Sequence, residues 1–373
     1  MKYRFLAGLF FLAGSMLAQQ NFEKALEYRQ KIGFLAAHRG VMAHLPQNIA
    51  HANELSLLFR TRGHKTYQSK YRYPTYGTTL FFGTVGNNKV LGKFVAVYGF
   101  ADIPMVRVKH YHMDFRLSLG LGFHNSPYDP VKNPMNVALG SKFNGNICLG
   151  MKHNYHFGMN AITFSIDLTH FSNAAFTVPN FGINVPYLSL GYARTIVPVD
   201  ATKFNSKDGV PQTPMSMPYN RWLYSATFIF NGKQMMPIGG RRYPVYGLNL
   251  SAKRIFNHKA GLELDFDLFS KQAILDYEPF IRKSQWDILQ MGLYAAYLVP
   301  LDRFHFVFGM GAYIRDKYSP EDPVYHRIGA RYYLKNGIIL NLTLKSHFAR
   351  ADYLEYGIGY TFNYRKRQKN HAQ

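Results

Sequence analysis

The chain is short of cysteine, of acidic residues and of long apolar runs, and each shortage removes a class of protein. Cys148 is the one cysteine in 373 residues, so no disulfide closes within the chain and no Cys-x-x-Cys metal site exists. Asp and Glu number 21 against 44 Lys and Arg, a formal charge of +23, and charged residues make up 17% of the sequence, below the roughly 25% of ordinary soluble domains. Beyond residue 18 no run of 18 or more apolar residues occurs, which excludes a bundle of membrane-spanning helices. A Gly-x-Ser-x-Gly elbow is missing, and with it the α/β-hydrolase fold. The basic excess comes without an aromatic-plus-basic module, so nucleic acid is not an expected partner. His110, His112, His153 and His156 lack the spacing of a metal site, and neither a metal nor a cofactor is expected.

What is present is aromatic and aliphatic. Phe, Tyr and Trp reach 16%, with 31 glycines besides, a composition able to bury enough apolar surface to fold. At the N-terminus Lys2 and Arg4 precede an apolar run over Phe5–Leu17 that ends in small residues near Ala18. That is the layout of a secretory signal peptide, expected over 1–18, and no Cys follows to make a lipoprotein.

The rest alternates with period two. Met113, Phe115, Leu117, Leu119, Leu121 and Phe123 interleave with His112, Asp114, Arg116, Ser118, Gly120 and Gly122; Leu262, Leu264, Phe266 and Leu268 enclose Glu263, Asp265 and Asp267. Such alternation means half-buried strands. A soluble sandwich would show it as well. Ionisable side chains at mid-strand between large apolar ones, and strands of about 10 residues with Tyr and Phe near their ends, favour a transmembrane barrel. The expectation is an all-β, antiparallel up-and-down barrel over 49–364 of about 14 strands, within a range of 12–16. Fifteen segments carry the pattern, that near 77–84 being the weakest. The spacing of Glu23, Ala25, Leu26, Arg29 and Ile32 suits a short helix or plug inside a periplasmic segment over 19–48. Residues 200–220 read as an exposed loop, 365–373 as a basic tail, and no internal repeat is visible.

Chemistry concentrates in 161–195. Ile162, Phe164, Ile166 and Leu168 define an apolar face, and Thr163, Ser165, Asp167 and Thr169 a polar one. A regular strand would carry His170 and Ser172 on the apolar, outward face, where polar groups are costly unless used; a strand stopping at Thr169 would leave both in an aqueous loop.

The run His170-Phe171-Ser172-Asn173-Ala174-Ala175 followed by Pro179-Asn180-Phe181-Gly182-Ile183 resembles the signature of the lipid A 3-O-deacylase (PagL-like), or acyloxyacyl hydrolase, family of outer-membrane barrels. The resemblance implies an outer-membrane serine esterase acting on lipid A of lipopolysaccharide among outer-membrane lipids. His170 would be the general base, Ser172 the nucleophile, and the Asn173 side chain and the Ala175 backbone N–H the oxyanion donors. Where many members have an acidic residue to orient the histidine, this chain has Asn184, with no Asp or Glu between Asp167 and Asp200. A slower enzyme, a substitute acid from another strand and an inactive homologue are the readings this leaves open. Lys152, His153, Arg194, Arg241 and Arg242 are candidate rim cations for the phosphates of lipid A. The alternative function is a non-catalytic pore or hydrophobic-solute transporter, with Glu263, Asp265, Asp267, Arg327 and Arg331 facing its lumen.

Overall fold

The computed structural model describes residues 22–63, 65–198, 217–235, 237–276, 280–318, 322–348 and 350–364. The expected signal peptide, the basic tail and most of the 200–220 loop lie outside them. Within them every segment with period-two alternation is a strand, and the chain divides into two units, Met1–Asn173 with Pro179–Thr213, and Ala174–Val178 with Pro214–Gln373.

The first unit contains β1 (Glu23–Gly33), β2 (Ala50–Arg60), β3 (Thr75–Thr84), β4 (Lys93–Val108), β5 (Tyr111–His124), β6 (Phe143–Phe157), β7 (Asn160–Ser172) and β8 (Ile183–Val197). Each pairs antiparallel with the next, and β8 returns to β1 through pairs such as Tyr28 with Tyr192, closing the barrel. The second unit repeats the plan with β9 (Trp222–Gln234), β10 (Arg242–Ile255), β11 (Gly261–Lys271), β12 (Leu289–Leu301), β13 (Phe304–Arg315), β14 (Val324–Tyr333), β15 (Ile338–His347) and β16 (Arg350–Thr361), closed by β16 on β9. The up-and-down barrel is as the alternation predicts. The expected single barrel over 49–364 is instead two eight-stranded ones. All fifteen expected strands exist, 75–84 included, and the sixteenth is Glu23–Gly33, where the sequence suggested a helix or plug.

Polarity runs inside out. Along β7, Ile162, Phe164, Ile166 and Leu168 are 41–52% exposed, while Thr163, Ser165, Asp167 and Thr169 are buried. A water-soluble protein would bury the first set; an apolar outer wall around a polar lumen is the pattern of a transmembrane barrel. Tyr111, Tyr155, Phe157 and Tyr192 ring one end of the first barrel's wall, and Phe123 and Phe143 the other.

Both lumens are filled. In the first, Glu54 bonds Arg29, Tyr98 and Lys31, and Lys31 Nζ also donates to Asp167 Oδ1 at 2.7 Å. Arg116 Nε donates to Asp102 at 2.6 Å, and Lys152 Nζ lies 2.6 Å from Glu27. In the second, Arg327 joins Glu355 (2.6 Å), Asp267 (3.1 Å) and Asp265 (3.4 Å), and Arg331 joins Glu263. These buried charges persist because each faces an opposite partner, whereas Lys253 Nζ, equally buried, donates to the Tyr333 hydroxyl at 3.0 Å.

The two ends of the first barrel differ. Connections 34–49, 85–92, 125–142 and 173–182 leave one end, whereas 109–110 and 158–159 are two-residue turns at the other, beside 61–74. Under the long connections the lumen becomes apolar: Leu35, Met42, Leu45, Phe81, Val85, Leu91, Phe94, Leu139, Phe171 and Ile183 pack as one core.

Candidate active site

The motif lies where β7 runs into that apolar cap. β7 stays regular through Ser172, with Gly145 opposite Ser172 and Ile147 opposite His170 on β6. Phe171 therefore points inward. It is fully buried, its ring 4.8 Å from that of Phe94 and 5.8 Å from that of Phe81. Gly122 on β5 makes room for it, since a Cβ there would stand 2.8 Å from the Phe171 ring. With Phe171 anchored inward, alternation turns His170 and Ser172 outward, where both are half-buried. Same-face residues two apart on a strand stand about 6.6 Å apart along the chain. Among the described residues no hydrogen bond joins the Ser172 hydroxyl to His170.

His170 and Asn184 face one another across β7 and β8. His170 Nδ1 lies 2.6 Å from Asn184 Oδ1. The oxygen accepts from Nδ1–H and leaves Nε2 with its lone pair. The turn ahead of β8 fits around the ring. Gly182 takes φ +76°, and a Cβ on it would sit 2.8 Å from His170 Cε1, so no larger residue suits the position. Gly182 N–H donates to Ala138 O (3.1 Å), and Pro179 O accepts from Gly140 N–H (2.7 Å), tying the turn to the 125–142 connection.

The expected oxyanion donors are placed differently. Asn173 is buried; its backbone N–H donates to Asn180 Oδ1 (2.9 Å), and its Nδ2 donates to Ser141 Oγ (2.9 Å). One proton of that amide is thus held by Ser141. Ala174 and Ala175 have φ of +51° and +61°, which L-residues with a Cβ adopt at a cost of about 1–2 kcal/mol each. Ala175 O accepts from Gln234 N–H at 3.2 Å, and the Ala175 N–H has no hydrogen-bond acceptor among the described residues.

Two partners had no signal in the sequence. His38, beyond β1, lies with its Nδ1 3.2 Å from Asn184 Nδ2 and its Nε2 3.0 Å from Phe181 O. Ser141 holds Asn173. Neither is near the motif in sequence: the β1–β8 closure brings His38 to it, and the β6–β7 pairing brings Ser141.

The expected rim cations divide. Lys152 points into the lumen, paired with Glu27 and Asp102, and is not at the rim. His153 and Arg194 stand opposite Phe164 and Asn160, toward the short-turn end and away from His170. In the second unit Arg242 donates to Phe176 O (3.3 Å) and Thr177 Oγ1 (2.9 Å), and the Arg241 guanidinium lies 5.4 Å from the Tyr243 ring centre. No group of three or more metal-ligating side chains occurs among the described residues. On the outer wall a groove of about 360 Å³ is lined by Ile32, Phe164, Leu188 and Leu190, with Gln30 and His51.

Comparison with known proteins adds the family. Residues 52–193 match the family model described as lipid A 3-O-deacylase (PagL), and residues 222–364 match that of the acyloxyacyl hydrolase C-terminal domain. No protein of curated function matches the sequence. Among solved structures, Neisserial surface protein A is similar at 11% identity, over 46% of this chain and 97% of its own, with a TM-score of 0.32. A mutant porin of Rh. blastica is similar at 12% identity, over 91% of this chain and 100% of its own, with a TM-score of 0.20. With one model over most of the first barrel and its companion over the second, this chain belongs to the lipid A 3-O-deacylase (PagL-like), or acyloxyacyl hydrolase, family.

Proposed function

We propose that the protein is an outer-membrane serine esterase that removes an ester-linked acyl chain from lipid A, with Ser172 as nucleophile and His170 as general base. The observation that carries the reading is the outward-facing His170–Asn184 pair with Ser172 beside it on the apolar wall. A lipid substrate reaches such a wall laterally without leaving the hydrocarbon. In outer-membrane barrels the longer loops face outward from the cell, and the pair lies at the long-connection end, the side on which an outer-leaflet lipid would present its esters. The groove beside Leu188, four residues or about 13 Å along β8 from Asn184, gives an acyl tail an apolar bed.

The chemistry then follows. His170 Nε2 takes the Ser172 proton as Oγ attacks the ester carbonyl. The tetrahedral oxyanion draws on the Asn173 amide, worth about 3 kcal/mol if aimed at the developing charge. Collapse expels the sugar alcohol, which leaves with the proton held on His170. Water, deprotonated by the same ring, cleaves the acyl-enzyme and releases the fatty acid. Asn184 orients the ring as a carboxylate would, but supplies no charge to steady the imidazolium.

The pore alternative is weakened by lumens packed with Arg29, Arg116, Arg327 and Arg331, all at most 3% exposed. The experiment is fatty-acid release from lipid A in mixed micelles by the purified full-length protein. Ser172→Ala is expected to lower the rate by about 10³-fold or more; release at the unaltered rate would reject the assignment.

A further inference from the structure

An asparagine beside a catalytic histidine poses a problem that a carboxylate does not. A carboxylate only accepts, so it selects Nδ1–H whichever way it turns. An amide turned by about 180° presents its NH2 to Nδ1, selects the other tautomer and puts the proton on Nε2, where the base must be bare. In a serine protease the replacement of the acid by Asn costs about 10⁴-fold by this route. Here Asn184 is the native residue, and its far side is occupied.

Phe181 O can only accept, so the His38 nitrogen 3.0 Å away, Nε2, carries a proton. In the neutral ring Nδ1 is then an acceptor, and the Asn184 group 3.2 Å from it must be the NH2. Asn184 Oδ1 is thereby turned to His170 Nδ1 at 2.6 Å. His38 is itself held in place. Phe34 N–H and Ala36 N–H donate to Pro186 O (3.4 Å) and Asn184 O (2.9 Å), zipping the chain after β1 along the start of β8. The acceptor that starts the relay, Phe181 O, belongs to the same turn whose Gly182 cradles the His170 ring.

We propose that His38 is a positioning residue of the esterase site: it locks the Asn184 amide with its oxygen toward His170 and so keeps His170 in the tautomer that can accept the Ser172 proton. The proposal rests on the reading of Ser172 and His170 given above. His38 touches neither the nucleophile nor the base; it acts through Asn184.

The test uses purified full-length protein in detergent and lipid A in mixed micelles. His38→Ala is expected to lower kcat about tenfold or more with KM within about twofold, since the amide is left free to flip. His38→Gln, which can accept from Asn184 and donate to Phe181 O, restores much of that loss. In an Asn184→Asp background the cost of His38→Ala shrinks to less than about twofold, because a carboxylate has no wrong orientation. Nitrogen-15 histidine spectra should show His170 protonated at Nδ1 in the wild type and at Nε2 in His38→Ala. Equal losses from His38→Ala in the wild-type and Asn184→Asp backgrounds would mark a merely structural effect and overturn the proposal. So would wild-type kcat in His38→Ala alongside an inactive Ser172→Ala, which leaves the esterase reading standing. Full activity in Ser172→Ala would remove both.

Discussion

At the residue scale the site depends on what surrounds the histidine. Gly182 is the sharpest case, because its φ of +76° and the His170 ring 2.8 Å from any added Cβ both oppose a side chain. Gly182→Ala is expected to cost about 1–2 kcal/mol of stability through the backbone alone and to lower fatty-acid release by displacing the ring; denaturant titration and turnover check the two effects separately. Asn184→Asp is expected to raise kcat about tenfold or more, since a carboxylate steadies the imidazolium as Oδ1 of the amide cannot. A rate at or below wild type would show that the site is tuned to a neutral partner. The outward placement of His170 and Ser172 was legible from four apolar residues in strict alternation, Ile162 to Leu168. The pairing of His170 with Asn184 was legible only as part of a motif. His38 was not legible, because nothing local in its sequence distinguishes a histidine bonded across a barrel seam from any loop histidine.

At the element scale β7 changes character along its length. Its inner side carries Thr163, Ser165, Asp167 and Thr169 and then switches to Phe171, which packs into the cap beneath the long connections. The switch makes Phe171 the anchor that sets the register of the two residues flanking it. Phe171→Ala is expected to cost about 3–5 kcal/mol and to abolish turnover although no reacting group is touched; a variant with wild-type unfolding midpoint and rate would refute that role. On the opposite face, Ile166→Arg puts a charge in the middle of the apolar wall, at an expected cost of about 2–4 kcal/mol, measurable as a lowered midpoint for unfolding from lipid vesicles. β1 shows why one strand escaped the sequence. Its outward positions are Leu26, Tyr28, Gln30 and Ile32, and its inward ones Glu27, Arg29 and Lys31. Inverted polarity with one polar outward residue blurs the alternation, and the charged inner face looks like the wet side of a helix.

At the scale of the whole molecule, the division into two barrels rests on pairings that no local pattern carries. Alternation marks each strand but is silent on which strand closes the ring, and closure here joins β1 to β8 and β9 to β16 across most of each unit. Sixteen strands read along the sequence suit one wide barrel as well as two narrow ones. What separates them is the content of the lumen. An eight-stranded barrel has room for side chains and little else, and both units use that room for ion pairs such as Lys31–Asp167 and Arg327–Glu355. Reconstitution into a planar bilayer is therefore expected to give no conductance above the bare membrane, and stepwise ohmic openings would contradict the packed lumens.

Whether an outward-facing serine on this wall cuts lipid A is read from the mass of lipid A in the outer membranes of cells expressing the protein. Lipid A is expected to be lighter by one acyl chain with the wild type and of unaltered mass with Ser172→Ala at equal abundance in the membrane. Unaltered lipid A in both, or the same loss of a chain in both, would contradict hydrolysis by Ser172.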